Sequence, residues 1–132
     1  MNIIDNYLAI NGNALSVRNE RMQIIAENIA NASTPNFKAK DIDFAKAMAK
    51  FQAKETALMA TDDLHIGIPK NFGKSTDDAL VYRVPLAPSL DNNTVELSIE
   101  QANYGKAAAQ YQASLQFLEN RISGLRKALR GD

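Results

Sequence analysis

The stretch TDDLHIG, residues 61–67, carries the chain's single histidine, His65, beside Asp62 and Asp63. An imidazole near two carboxylates is where a metal site or an acid–base pair would begin. A metal site also needs ligands at deliberate spacing and groups behind them that orient each ligand. One histidine with two adjacent acids supplies neither, so His65 reads as a surface or structural residue. There is no cysteine, which excludes disulfides, zinc–thiolate sites and thiol catalysis. No glycine-rich phosphate loop or nucleophile motif occurs. The expectation is a chain with no catalytic residues, no metal site, no cofactor and no small-molecule substrate.

Charge narrows the partners. Lysine plus arginine number 15, and so do aspartate plus glutamate. A general nucleic-acid binder needs excess positive charge to release counterions, so no nucleic-acid partner is expected. Near-zero net charge also leaves little self-repulsion, which favours association. No apolar run approaches the roughly 18 residues of a membrane-spanning helix. The N-terminus, MNIIDNYLAI, carries Asp5 and lacks the basic start of a secretory signal. The expectation is a chain without a transmembrane segment, cytoplasmic or exported without a cleaved signal.

The elements that would position any function are helical. In the first, from about Asn2 to Ala32, Ile4, Leu8, Leu15, Met22, Ile25 and Ile29 fall on a ladder that also includes Asn11 and Arg18. Ile3, Tyr7, Ile10, Ala14, Val17 and Ile24 make a second ladder beside it. The combined stripe is wider than one antiparallel partner would cover. Two readings remain at this point: a helix in an ordinary bundle, or one with neighbours from other chains. The last segment is sharper. Tyr104, Ala108, Tyr111, Leu115, Leu118, Ile122, Leu125 and Leu129 alternate steps of four and three, the mark of a coiled-coil seam. Leu97 and Gln101 extend it backwards. Asn93 or Thr94 is placed to cap the start, and Gly131 follows as the stop. Such a helix is roughly 50 Å long, too long for a compact domain of this size.

Between the two lies a turn, a short helix and an irregular stretch. Asp41 is placed to cap a helix carrying Phe44, Met48, Phe51 and Leu58. From Thr61 to Asn93 the chain is polar and broken by glycine and proline, with Leu80–Val84 as a short strand. Three regions of one structural domain are expected: residues 1–33, 34–92 and 93–132. In ENIANASTPNFKAKDIDF, residues 27–44, Asn28 and Asn31 are expected to end the first helix by accepting a left-handed conformation. Thr34 precedes proline and leaves the helical region. Pro35 takes the second position of a turn and Asn36 the third, where φ > 0 is required. Phe37 anchors the exit, and Lys38 and Lys40 lead to the next helix.

These residues resemble the bacterial flagellar rod and hook family of axial proteins. Its N-terminal signature, of the form ANxANxxTPGYK, matches Asn28, Ile29, Ala30, Asn31, Thr34, Pro35 and Lys38. Asn36 stands where the family usually has glycine, and Phe37 where it has tyrosine. The C-terminal stretch NNTVELSIEQANYGKAAAQYQASLQFLENRISGLRKALRG resembles the same end of proximal rod subunits, as does LVYRVPLAPSLDNNTVEL. The resemblance implies a mainly α fold, with long terminal helices paired as an antiparallel coiled coil and a short middle helix and strand. Leu115, Leu118 and Ile122 would then meet the first helix around Leu8, Leu15 and Met22. It implies a structural subunit of the proximal rod, in a helical tube that transmits torque and continues the export channel. The implied partners are copies of itself, other rod subunits, a rod-base adaptor protein, the inner-membrane ring and the export gate. The implied location is the basal body in the periplasmic space, reached by type III export. A soluble coiled-coil module, such as a secretion chaperone, is the alternative. It would explain the heptads but not the NIANASTPNFK turn.

Overall fold

The computed structural model describes residues 3–57 and 77–131. The order is α1 (Ile3–Ala30), β1 (Lys40–Ile42), α2 (Phe44–Ala57), a 3-10 turn (Asp77–Ala79), β2 (Leu80–Tyr82) and α3 (Leu97–Arg130). The fold is mainly α, with two long terminal helices, a short middle helix and a two-stranded sheet. His65 with Asp62 and Asp63, and Leu58, lie outside the described residues. Among the described residues no group of three or more acids and histidines is placed to hold a metal. Nor is any helix among them long and apolar enough to cross a membrane.

α1 and α3 run antiparallel. Asn28 meets Glu100. Arg18 and Arg21 share a cleft with Ala107 and Gln110, and Asn11 and Ala14 share the next one with Ala113 and Phe117. Residue numbers rise on one helix as they fall on the other. This register puts Leu118 level with Leu8 and Asn11. It leaves Leu15 level with Ala113 and Met22 near Lys106, so those two apolar pairs of the expected seam are out of step. α3 ends as its sequence requires. Gly131 sits at φ 77°, its N–H donates to the Lys127 carbonyl, and Lys127 and Arg130 lie at the negative end of the helix dipole.

The helix starts differ from expectation. α3 begins after Glu96, which makes no side-chain capping bond, so neither Asn93 nor Thr94 caps it. At α2 the cap is Asp43: its side chain accepts the Lys46 N–H and its carbonyl the Ala47 N–H. Asp41 is drawn two residues upstream into β1, where two arginines compete for its carboxylate.

The apolar core lies where α1, α2 and the small sheet meet. Val17, Ile42, Ala47 and Ala79 are buried, and Ile24, Phe44, Met48, Phe51 and Leu80 pack around them. Arg18 stacks its guanidinium on the Phe44 ring at 4.7 Å. β1 and β2 are antiparallel, with Lys40 opposite Tyr82, Asp41 opposite Val81 and Ile42 opposite Leu80. This pairing turns Ile42 inward and delivers the residue after β2, Arg83, toward the helix pair.

Candidate functional site

The motif turn follows α1 and reverses the chain toward β1. The Phe37 N–H donates to the Thr34 carbonyl, and Asn36 between them sits at φ 62°. A positive φ at the third position, after proline, is the signature of a type II turn. Glycine accepts that conformation freely, and asparagine is the next most tolerant residue. The turn is tied within itself by Thr34, whose hydroxyl donates to the Asn31 side-chain oxygen. Neither Asn28 nor Asn31 has positive φ. Asn28 is instead a buried residue of the last helical turns, and Asn31 donates its amide to the Glu27 carbonyl. The helix tapers through tight turns, such as Ala32 N–H to Ile29 carbonyl, and needs no left-handed residue.

The turns that follow α1 are also braced from far along the chain. The buried Asn93 side-chain amide donates to the carbonyls of Asn31, Ala32 and Thr34 at 2.9–3.0 Å. These carbonyls follow the last helical residue, and those of Asn31 and Thr34 also accept the N–H groups of Thr34 and Phe37. The Asn93 side-chain oxygen accepts the Val95 N–H at 2.8 Å. Around it residues 91–94 lie along the motif like a ragged strand. Asn36 N–H donates to the Asp91 carbonyl, Thr94 N–H to the Phe37 carbonyl, and Lys38 Nζ to the Asn92 carbonyl. The Thr94 hydroxyl accepts the Ala39 N–H. Asn92 also sits at positive φ, 58°. The N-terminal motif and the segment that opens α3 are therefore one hydrogen-bonded unit.

Beneath it lies a buried polar cluster drawn from four elements. Asp41 accepts both Nε and a terminal nitrogen of Arg21, at 2.8 and 3.0 Å, and a nitrogen of Arg83 at 2.6 Å. The second Arg83 terminal nitrogen lies 3.3 Å from Glu100, whose side chain is 2% exposed. The other Glu100 oxygen accepts Asn28 Nδ2 at 3.2 Å. Asn28 also brackets Lys40, donating to its carbonyl and accepting its N–H, so it completes the edge of β1. Two arginines and two carboxylates leave the cluster neutral. Burial alone would raise the Asp41 pKa. The bonds from Arg21, the Ile42 N–H and Arg83 reverse that and hold it below the ordinary aspartate value. The bond to Asp41 holds Arg21 more firmly protonated. Among the described residues, Arg83 Nε is the one buried side-chain nitrogen or oxygen without a hydrogen-bond partner.

The arrangement ties α1, β1, the residue after β2 and α3 to one another. No group in it is both exposed to a ligand and poised to transfer a proton or attack. Of the motif residues, Asn28 is buried, Asn31 and Phe37 are half-buried, and Thr34, Pro35, Asn36 and Lys38 are exposed. Along the helices Leu8, Leu15, Met22 and Ile29 of α1 and Tyr111, Leu118, Ile122 and Leu125 of α3 are half-buried. Tyr104 and Leu115 are each 38% exposed and Leu129 is 87% exposed. The buried positions of α3 are Glu100 and Ala107, each one residue before the heptad positions Gln101 and Ala108. Near its start the helix is thus turned by about 100° from the apolar seam, because Glu100 must face Arg83 and Asn28.

Arg21, Asp41, Arg83, Asn93 and Glu100 were not singled out as partners by sequence reasoning. Asn93 and Asp41 carried a weak signal, as cap-forming residues at places where no apolar pattern holds them. The other three look like ordinary surface charges in the sequence, and their ion pairs join residues far apart in the chain, Arg21 with Asp41 and Arg83 with both Asp41 and Glu100.

Residues 8–38, which span most of α1 and the whole turn, match the family model described as flagella basal body rod protein. Across nearly the whole length the chain is similar to proteins named flagellar basal body rod protein FlgB. That of Cereibacter sphaeroides is 39% identical over 95% of this chain and 94% of its own. That of Aeromonas hydrophila is 38% identical over 97% and 96%. That of Salmonella typhimurium is also 38% identical, over 97% and 96%. Motif turn, antiparallel terminal helices and full-length similarity agree, and the chain belongs to the FlgB family of flagellar basal body rod proteins, structural components of the basal body and not enzymes.

Proposed function

We infer that the chain is a subunit of the proximal rod, where copies pack their helix pairs side by side into a tube. The tube transmits motor torque and continues the export channel. The observation that carries this reading is the unspent apolar surface of the helices. Leu97, Tyr104, Leu115, Phe117 and Leu129 of α3 remain exposed in the single chain, although α3 already packs along α1. A face wider than one partner covers needs further helices. Head-to-tail contacts that do not close on themselves generate an open helical assembly. Expected neighbours are copies of the chain, other rod subunits, an adaptor protein at the rod base, the inner-membrane ring and the export gate. On this reading the chain reaches the periplasmic space through the export channel.

The test is location in the intact organelle. Detergent-extracted basal bodies should contain the chain, and a reconstruction should place it at the base of the rod. Recovery only in the cytosol, bound to export substrates, would instead identify a secretion chaperone.

A further inference from the structure

We propose that Arg83 is an electrostatic latch, so that α1 and α3 close on each other only when the strap Leu80–Arg83 has docked. Glu100 is the group that needs the latch. Its carboxylate is almost fully buried on the face of α3 that meets α1. Within the helix pair its direct hydrogen-bond partner is Asn28, which carries no charge. Burying an ionised carboxylate without a counter-charge costs far more than a neutral amide returns. The counter-charge at direct range is Arg83, which belongs to neither helix.

The strap holds Arg83 by its backbone. β2 pairs with β1, and the Arg83 N–H donates to the Ala39 carbonyl at 2.9 Å. Its guanidinium then spans Asp41 and Glu100, one terminal nitrogen to each. The charged groups that meet there are Arg21 from α1, Asp41 from β1, Arg83 from the strap and Glu100 from α3. With Arg83 present they sum to zero. Without it, Arg21 faces two buried carboxylates and one negative charge is uncompensated. Closing the helix pair before the strap docks is therefore disfavoured, and the two events are coupled. The unpaired Arg83 Nε fits a residue retained for its charge at two fixed points more than for complete hydrogen bonding.

Amide hydrogen exchange on the purified full-length chain tests the latch. In the native sequence residues 21–28 and 100–107 should be protected together. Arg83→Met keeps much of the side chain's bulk and removes its charge. It should lower protection in both segments by at least about tenfold, even though position 83 lies in neither. Adding Glu100→Gln to Arg83→Met should restore most of that protection, because a neutral amide no longer needs the arginine. Unchanged protection in Arg83→Met would overturn the proposal. So would a double variant no better than the single one, since Arg83 would then act by packing and not by charge. If the single variant does not fold and the double one does, the latch stands; if neither folds, it falls. A native chain with no protection in these segments would also defeat it, because the docked strap should suffice to close the pair.

Discussion

Asn36 and Asn93 do opposite work with the same side chain. Asn36 is exposed and matters for its backbone: φ is 62°. Glycine at this position should cost nothing measurable, while Asn36→Val forces a β-branched residue into the left-handed region, worth roughly 1–2 kcal/mol. Urea melts of the two variants check this, and equal midpoints would remove the backbone argument. Asn93 is buried and matters for its amide. Asn93→Ala removes an amide shared by three carbonyls just after α1, of which those of Asn31 and Thr34 keep a backbone donor. The expected loss is about 1–3 kcal/mol. Asn93→Asp should lose more, because it points a carboxylate at three carbonyl oxygens. A melt in which the Asp variant matches the native chain would mean that water replaces the amide at no cost.

Among the elements, α3 is the one whose two halves differ. Its first turns face α1 with Glu100 and Ala107, and its later turns present half-buried Tyr111, Leu118, Ile122 and Leu125. A straight helix drifts by about 20° per heptad against a strict seven-residue repeat. Rotation near the N-terminus, set by Glu100, therefore still allows the heptad residues to lean inward further on. Leu118→Asp should separate the helices where Leu118 lies level with Leu8 and Asn11. Fully burying one leucine is worth about 1.5–3 kcal/mol, and a charge in its place costs more than the lost contact. Cells carrying the variant should make and export the subunit but build no rod and not swim. Gln116→Asp, on an exposed position, should be milder. Normal swimming with the Leu118→Asp chain present in purified basal bodies would show that this part of α3 is not a helix-pairing surface.

On the scale of the whole molecule, the neutral cluster of Arg21, Asp41, Arg83 and Glu100 joins α1, β1, the residue after β2 and α3. The pKa of Asp41 is lower folded than unfolded. Unfolded chains then bind the proton more tightly, so stability from this group is complete above the ordinary aspartate value, near 4. It disappears as pH falls through that value toward the folded one. The urea midpoint should be insensitive to Asp41 between about pH 7 and 5 and should drop below about pH 4. Asp41→Asn should start lower at pH 7 and lose less on acidification. Parallel acid profiles for the two chains would show that the carboxylate is not held ionised by its arginines.

Local chemistry alone determined a good part of this protein. Two long helices, the stop at Gly131 and the positive φ at Asn36 follow from signals carried by neighbouring residues, because capping, turn geometry and apolar period act over a few positions. The same signals misplaced three polar residues. Asn28 resembles a helix terminator and is a buried brace between α1, β1 and α3. Asp41 resembles a helix cap and is an arginine receptor. Asn93 resembles the cap of α3 and closes α1 instead. Each has several acceptors or donors that satisfy it equally well nearby, so its neighbours leave the choice open. Only the tertiary structure decides it, by removing water and leaving one set of partners within reach. The rotation of α3 has the same origin: an apolar seam prefers to face inward, but a buried carboxylate costs more to leave unpaired than a tyrosine or leucine does to leave exposed.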